Sequence, residues 1–495
     1  KQGTVGIIDN CFYKAPILEA VQLPDSVRIV GQYAFSGIET LVRFEAGKNL
    51  EVLQEGAFAN CTGLYVLLLN RSLQEIGAYA FYGCSTLDNN SLDGNSIIPQ
   101  SVKRIGAYAF MQTMLWGKPE NNIIYAGNWV VGFAENAKLG AAELKDSVVG
   151  IADNAFFQCG TLTSLKNLSK CAYIGTAAFY ECTALETVSL NPRLETVEAY
   201  TFYKCKSLFR VSIPTMLRSV GRSAFYGCSN LETVTFGENL TGLGRYSFKN
   251  CSTLTAVELP DTVTAVPEHA FANCSALVTL KLGSGVTSIG DKAFYKCAGL
   301  SEVVLPDSVR TVGKSAFYKC VSLATLTLGN SLERIGDFAF YNDSGIGSLI
   351  LPGTLKQVGK YAFKGLNSLT ALVIPKEVAT VAGNAFYGCS NATFYIEEGA
   401  DTSDWNRRWN SSNRPVVSGV RLADEGGYAA SLTTGEGTVK NGTYLSDQIT
   451  PIADPTRAGY TFAGWSREDG TQITTGQISG MPVGTLLTAV WIREE

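Results

Sequence analysis

A phenylalanine that recurs every 23 residues constrains the fold of this 495-residue chain more than any other feature. It usually follows an alanine. It stands at Phe12, Phe35, Phe58 and Phe81, then at Phe110, Phe133 and Phe156, and from there at ten further equal intervals to Phe386. One step, from Phe81 to Phe110, is six residues too long, which places an insertion around Asn90–Ile97. Length alone would suggest about three separate cores. A period this regular predicts one stacked core instead, because each short unit buries its apolar face only against its neighbours.

One unit shows the pattern. After Phe294 come Cys297, Leu300, Val303, Leu305, Pro306, Val309, Val312, Gly313 and Ala316 before the next marker, Phe317. The alternation Val303-x-Leu305 predicts a short strand closed by a proline that cannot donate to a ladder. Val309-x-x-Val312-Gly313 predicts a second short extended segment. Asp291–Cys297 reads as one helical turn, with Ala293, Phe294 and Cys297 facing inward. Each buried large side chain contributes roughly 1.5–3 kcal/mol. Seventeen such coils at about 4.8 Å would stack to about 80 Å.

Eleven of the 13 cysteines, from Cys61 to Cys389, lie three residues after a marker phenylalanine. Ile38 and Leu366 fill the same slot elsewhere, with Thr113 and Asp343 as polar exceptions. A slot that accepts isoleucine and leucine reads as a packing slot holding reduced thiols, with pairing between adjacent coils as the alternative. Cys11 and Cys171 lie outside this row and are the candidates for exposed thiols.

The unit LSEVVLPDSVRTVGKSAFYKC (300–320) resembles the leucine-rich repeats of bacterial surface proteins typified by BspA and the Treponema pallidum repeats. The likeness covers roughly residues 5–397, and IIYAGNWVVGF (123–133) resembles a variant unit that interrupts such arrays. The expected fold is an α/β repeat solenoid. It would be a right-handed leucine-rich-repeat stack of 23-residue coils, each with short parallel strands and a short helical turn. The expected division is a solenoid over 1–397 with its variant unit near 111–148, a cap and linker over 398–415, and a separate module over 416–495. Trp405 and Trp409 would cover the end of the core. In the last module, Pro455, Gly459, Tyr460, Phe462, Gly464, Trp465, Ala489 and Trp491 resemble the Listeria–Bacteroides repeat, which implies a small β-grasp domain.

The family implies a secreted or cell-surface bacterial protein with adhesive roles and no catalysis. Its partner would be a protein or glycan on a host or neighbouring cell; a spacer at the cell wall is the alternative. A formal charge of −4 and a pI near 5.5 exclude general electrostatic affinity for nucleic acid or anionic membrane. No apolar stretch is long enough to span a bilayer. The chain starts at Lys1 without a signal peptide or lipid-anchor box, as a mature or trimmed chain would, and is expected to be a monomer.

Catalytic patterns are sparse. The single histidine, His269, stands two residues before a marker in a slot that varies freely, and reads as a surface residue. No phosphate-binding loop, zinc pair or calcium loop is present, and no cofactor is expected. What remains is a surface pattern. Tyrosine follows the marker in nine units, and a second set of tyrosines lies two residues before it. The candidate partner-binding residues are Tyr203, Tyr226, Tyr295, Lys296, Tyr318 and Lys319 on the resulting aromatic stripes. Phe209 and Arg210 are an unusual outward pair on a strand. The stripes read either as a docking ridge or as packing between coils.

Overall fold

The computed structural model describes residues 3, 5–89, 98–397, 399–420, 431–433, 438–444, 460–467, 472–474 and 485–493. The insertion at 90–97 and the motif residues Pro455 and Gly459 lie outside the described residues. The chain divides into two compact units, Lys1–Leu254 and Thr255–Glu495.

In each unit the repeat forms a parallel β-solenoid with two strands per 23-residue turn. In the first unit, two-residue strands at Gly6–Ile7, Ile29–Val30, Val52–Leu53, Glu75–Ile76 and Arg104–Ile105 stack into one parallel sheet. Strands at Ala20–Gln22, Arg43–Glu45 and Val66–Leu68 build another. In the second unit, six two-residue strands from Ala265–Val266 to Thr380–Val381 form one continuous parallel sheet. Glu302–Val304 and Thr311–Val312 are the two strands read from the unit after Phe294.

The helical turn is not formed. Among the described residues the helical segments are two 3-10 turns, Met114–Gly117 and Leu168–Lys170. The segment 291–297 is instead a string of turns with left-handed residues at Lys292 (φ 54°) and Lys296 (φ 58°). Its amides alternate in direction. Ala293, Tyr295 and Cys297 donate within the coil to Gly290, Lys292 and Phe294, while Lys292, Phe294 and Lys296 donate to Lys314, Ala316 and Tyr318 in the next coil. A helix would spend every amide internally. The turn string gives every second one to the neighbouring coil, and so extends the ladder beyond the short strands.

The marker phenylalanines form the core. In the second unit Phe271, Phe294, Phe317, Phe340, Phe363 and Phe386 stack face to face at 5.2–5.6 Å, all fully buried. In the first unit Phe12–Phe110 and Phe156–Phe248 also stack, and all of these but the exposed Phe12 are buried. All 13 cysteines are free, and the 11 in the row are buried. Cys11 is exposed, but Cys171 is buried, and its desolvated thiol is pushed up to about 12. This corrects the expectation for Cys171.

The interruption at 123–133 is a β-hairpin. Ile123–Ala126 pairs antiparallel with Trp129–Phe133, and the latter continues in parallel to Gly150–Ile151 and then Tyr173–Ile174. At the far end of the second unit, Thr393–Glu397 and Val416–Val420 add two longer parallel strands to the sheet of Ser348–Ile350 and Ala371–Ile374. Trp405 is buried, and its indole N–H donates to the Val378 carbonyl at 2.9 Å. Trp409 packs on Phe386 and Phe394, so both tryptophans cover the last coil from turns, not from a helix. The described strands from Ser431 to Arg493 form a five-stranded antiparallel sheet.

Candidate functional site

Where the slot after a marker phenylalanine holds an aromatic residue in successive coils, its ring meets the ring of the same slot in the next coil. In the first unit Phe157, Tyr180, Tyr203 and Tyr226 form one row, with ring centroids 4.8, 4.5 and 4.8 Å apart and planes within 13° of parallel. In the second unit Tyr295, Tyr318 and Tyr341 repeat it at 4.9 and 4.7 Å. The rings are half-buried, and burial raises the Tyr203 and Tyr318 phenols above their ordinary value.

Lysines lie over these rings. Lys204 sits 5.2 Å from the Tyr203 centroid, Lys296 5.4 Å from Tyr295, and Lys319 5.7 Å from Tyr318. Each row also ends on a lysine in the tyrosine's own slot: Lys249 over Tyr226 at 5.9 Å, and Lys364 over Tyr341 at 4.9 Å. These two ammonium groups were legible as the residues that replace tyrosine after Phe248 and Phe363, although the sequence reading did not assign them. Phe157 was missed for a similar reason, being a phenylalanine in a row read as tyrosine. The Lys204 ammonium also donates to Glu181 at 2.8 Å, and this bond raises its pKa.

The second set of tyrosines makes contacts of its own across coils, with Tyr79 5.6 Å from Tyr108 and Tyr361 stacked on Phe338 at 5.2 Å, and it also joins the first. Tyr200 meets Tyr203 edge-on at 5.9 Å, as Tyr79 meets Tyr82 at 5.8 Å, because the left-handed residue two before the marker turns its ring toward the one after it. The structure therefore groups Tyr203 with Tyr226 in the first unit, and Tyr295, Lys296, Tyr318 and Lys319 in the second. Phe209 and Arg210 stand apart on the strand side of their coil. Both are exposed, and Arg210 pairs in register with Thr187 and Thr233. His269 is half-buried in the left-handed slot (φ 57°), 3.9 Å from Glu268, and is not a plain surface residue.

Among the described residues no group of histidine, cysteine and carboxylate side chains is arranged to hold a metal ion, and no helix is long and apolar enough to cross a membrane.

Twenty-three-residue coils with two parallel strands and an apolar Leu/Val/Phe interior define a leucine-rich-repeat solenoid. The family model described as BspA type Leucine rich repeat region matches in six copies over residues 5–117, 149–278 and 264–393, and the chain belongs to that family. The stretch between the first two matches contains the hairpin. Among solved structures, the chain is similar to a leucine-rich repeat protein from Bacteroides ovatus, with 22% identity over 58% of this chain and 94% of that one, and a TM-score of 0.33. It is similar to the leucine-rich repeat protein of T. pallidum, with 26% identity over 37% of this chain and 90% of that one, and a TM-score of 0.34. A leucine-rich cell surface protein from Faecalibacterium prausnitzii matches at 20% identity over 83% of this chain and 85% of that one, with a TM-score of 0.29. No curated protein matches the chain.

Proposed function

We propose that the chain is a bacterial cell-surface or secreted adhesin that docks a protein or glycan through its tyrosine and lysine rows, without catalysis or cofactor. The observation that carries this reading is the pair of half-exposed aromatic rows with an ammonium group over five of their seven rings. Rigid aromatic area at low entropic cost, edged by cations, is the composition of interaction hot spots. A long flat row suits a protein surface better than a single sugar. The surface location rests on family membership and on the cell-surface relative described above.

The division into a solenoid to residue 397, a cap over 398–415 and a module over 416–495 belongs to the same proposal. Its support is the capping by Trp405 and Trp409, and the register of the last sheet. There Phe462 stands opposite Trp491, and Trp465 opposite Ala489, so four residues of the Listeria–Bacteroides motif pair across two neighbouring strands. A β-grasp fold is our reading of that module.

A spacer is the second reading, favoured by the fact that each ring also clamps the next coil. Stacked pairs contribute about 0.5–1.5 kcal/mol each. The double variant Tyr295→Ser/Tyr318→Ser, tested in pull-downs from bacterial and epithelial surface extracts, separates the two. Loss of a specifically captured partner with the fold retained supports docking. A partner captured equally well by a destabilised variant would make the rows packing and put binding elsewhere, whereas no specifically captured partner from any extract favours the spacer.

A further inference from the structure

The hairpin opens the solenoid wall. In the first unit the two-residue strands make three separate sheets: one ends at Arg104–Ile105, one holds Gly150–Ile151 and Tyr173–Ile174, and one starts at Thr196–Val197. Among the described residues no strand pairing joins Arg104–Ile105 to the second sheet, where the Asp153 amide donates to the Ile105 carbonyl at 2.9 Å, and none joins Tyr173–Ile174 to Thr196–Val197. A cleft of about 650 Å³ crosses these two breaks. That volume lies in the range of small-ligand sites.

Its floor is aromatic. Trp129, 1% exposed, lies under Gly150, where a Cβ atom would stand 2.5 Å from the indole, so only glycine leaves the ring its place. The half-buried Tyr173 ring stacks on Trp129 at 5.9 Å and 15°. The walls carry three cations, Lys103, Arg104 and Arg193, and three carboxylates, Asp153, Glu195 and Glu198. One pair is fixed. Arg104 donates through Nη2 to Asp153 at 2.9 Å, and Asp153 also accepts the Thr176 amide at 2.8 Å. Burial raises the Asp153 carboxyl above its ordinary value.

We propose that this cleft binds a short neutral oligosaccharide. The lining charges balance, so a phosphate or a polyamine would meet as much charge of its own sign as of the opposite one. A polyol uses both signs, because its hydroxyls donate to the carboxylates and accept from the guanidinium and ammonium groups. Tyr173 supplies the apolar wall that the C–H face of a sugar ring packs against. The site is independent of the tyrosine rows.

The test is calorimetric titration of the full chain with maltotriose, cellotriose, mannotriose and N,N′,N″-triacetylchitotriose, alongside the variants Tyr173→Ala, Glu198→Gln and Arg193→Ala. Binding of at least one trisaccharide is expected, weakened about tenfold in each variant and unchanged in Tyr295→Ser/Tyr318→Ser. If Tyr173→Ala loses its native circular dichroism, Glu198→Gln and Arg193→Ala decide, since both are changes at exposed side chains. No heat with any of the four sugars at millimolar concentration would overturn the proposal. So would affinity that none of the folded variants alters, or binding confined to a sulfated oligosaccharide or to oligolysine.

Discussion

The cysteine slot shows how much one position can carry. The thiol of Cys228 points at the carbonyl of Phe202, the marker of the preceding coil, at 3.1 Å, and eight other thiols in the row make the same contact. The side chain is a small core hydrophobe that also returns a weak hydrogen bond to the stack. Asp343 occupies this slot with no exposure. Its Oδ1 accepts the Cys320 amide at 2.8 Å, while Oδ2 is buried without a hydrogen-bond partner. Burial therefore holds this carboxyl well above its ordinary 3.8. The sign follows from linkage. Below the ordinary value both folded and unfolded chains keep the proton. As pH rises above it, the unfolded chain releases the proton and the folded chain holds it, so stability falls. Asp343→Cys should remove that loss. In thermal unfolding, its gain over the parent should be small near pH 4 and grow toward neutral pH, reaching roughly 1–3 kcal/mol. A gain of equal size at both pH values would show that the carboxyl's ionisation does not matter.

At the scale of the element, the turn string governs which residues the coil tolerates. Both positions two residues from every marker except Phe133 hold a left-handed backbone, where a side chain costs roughly 1–2 kcal/mol unless it bonds locally. Ala177 (φ 53°) carries that cost without a polar group to offset it. Gly388 (φ 78°) has only ordinary contact, at 3.5 Å, awaiting a Cβ. Ala177→Gly should therefore stabilise the first unit, and Gly388→Ala should destabilise the second, each by about 1 kcal/mol in denaturant titration. Opposite signs in either case would refute strain as the cause. The period, the two strands and the buried residues were legible because burial leaves an apolar imprint at fixed spacing, as at Val303, Leu305 and Val312. The turn string was not, because seven residues with inward Ala293, Phe294 and Cys297 satisfy a helical pattern equally well. Its signal was the second left-handed slot, which holds glycine or asparagine in many coils, as at Gly227, Asn250 and Gly388. The rows were legible as tyrosines, and their lysine ends only once neighbouring coils were in register. The cleft left no periodic trace, since Arg104, Asp153 and Glu198 occupy different slots, six, three and four residues before Phe110, Phe156 and Phe202.

Across the whole molecule, the same local logic sets how the chain loses structure. In each unit a marker ring stacks on the marker rings of the coils before and after it, and the strands pair mainly with the coils on either side. Stability of such a stack is a sum of coil and neighbour terms, not one all-or-none quantity. Phe225 and Phe317 are both fully buried, one in each unit. Truncating either removes a ring from a close-packed row and should cost about 3–5 kcal/mol locally. With Phe225→Ala, amide hydrogen exchange should accelerate most in the coils of Phe202, Phe225 and Phe248, and the effect should decay toward Phe156. With Phe317→Ala it should centre on Phe294 through Phe340 and decay toward Phe386. The decay length is the quantity of interest, because it measures how strongly one coil depends on the next. Uniform acceleration throughout a unit would mean that the unit unfolds as one body, and that the repeat has cooperativity beyond its nearest-neighbour contacts.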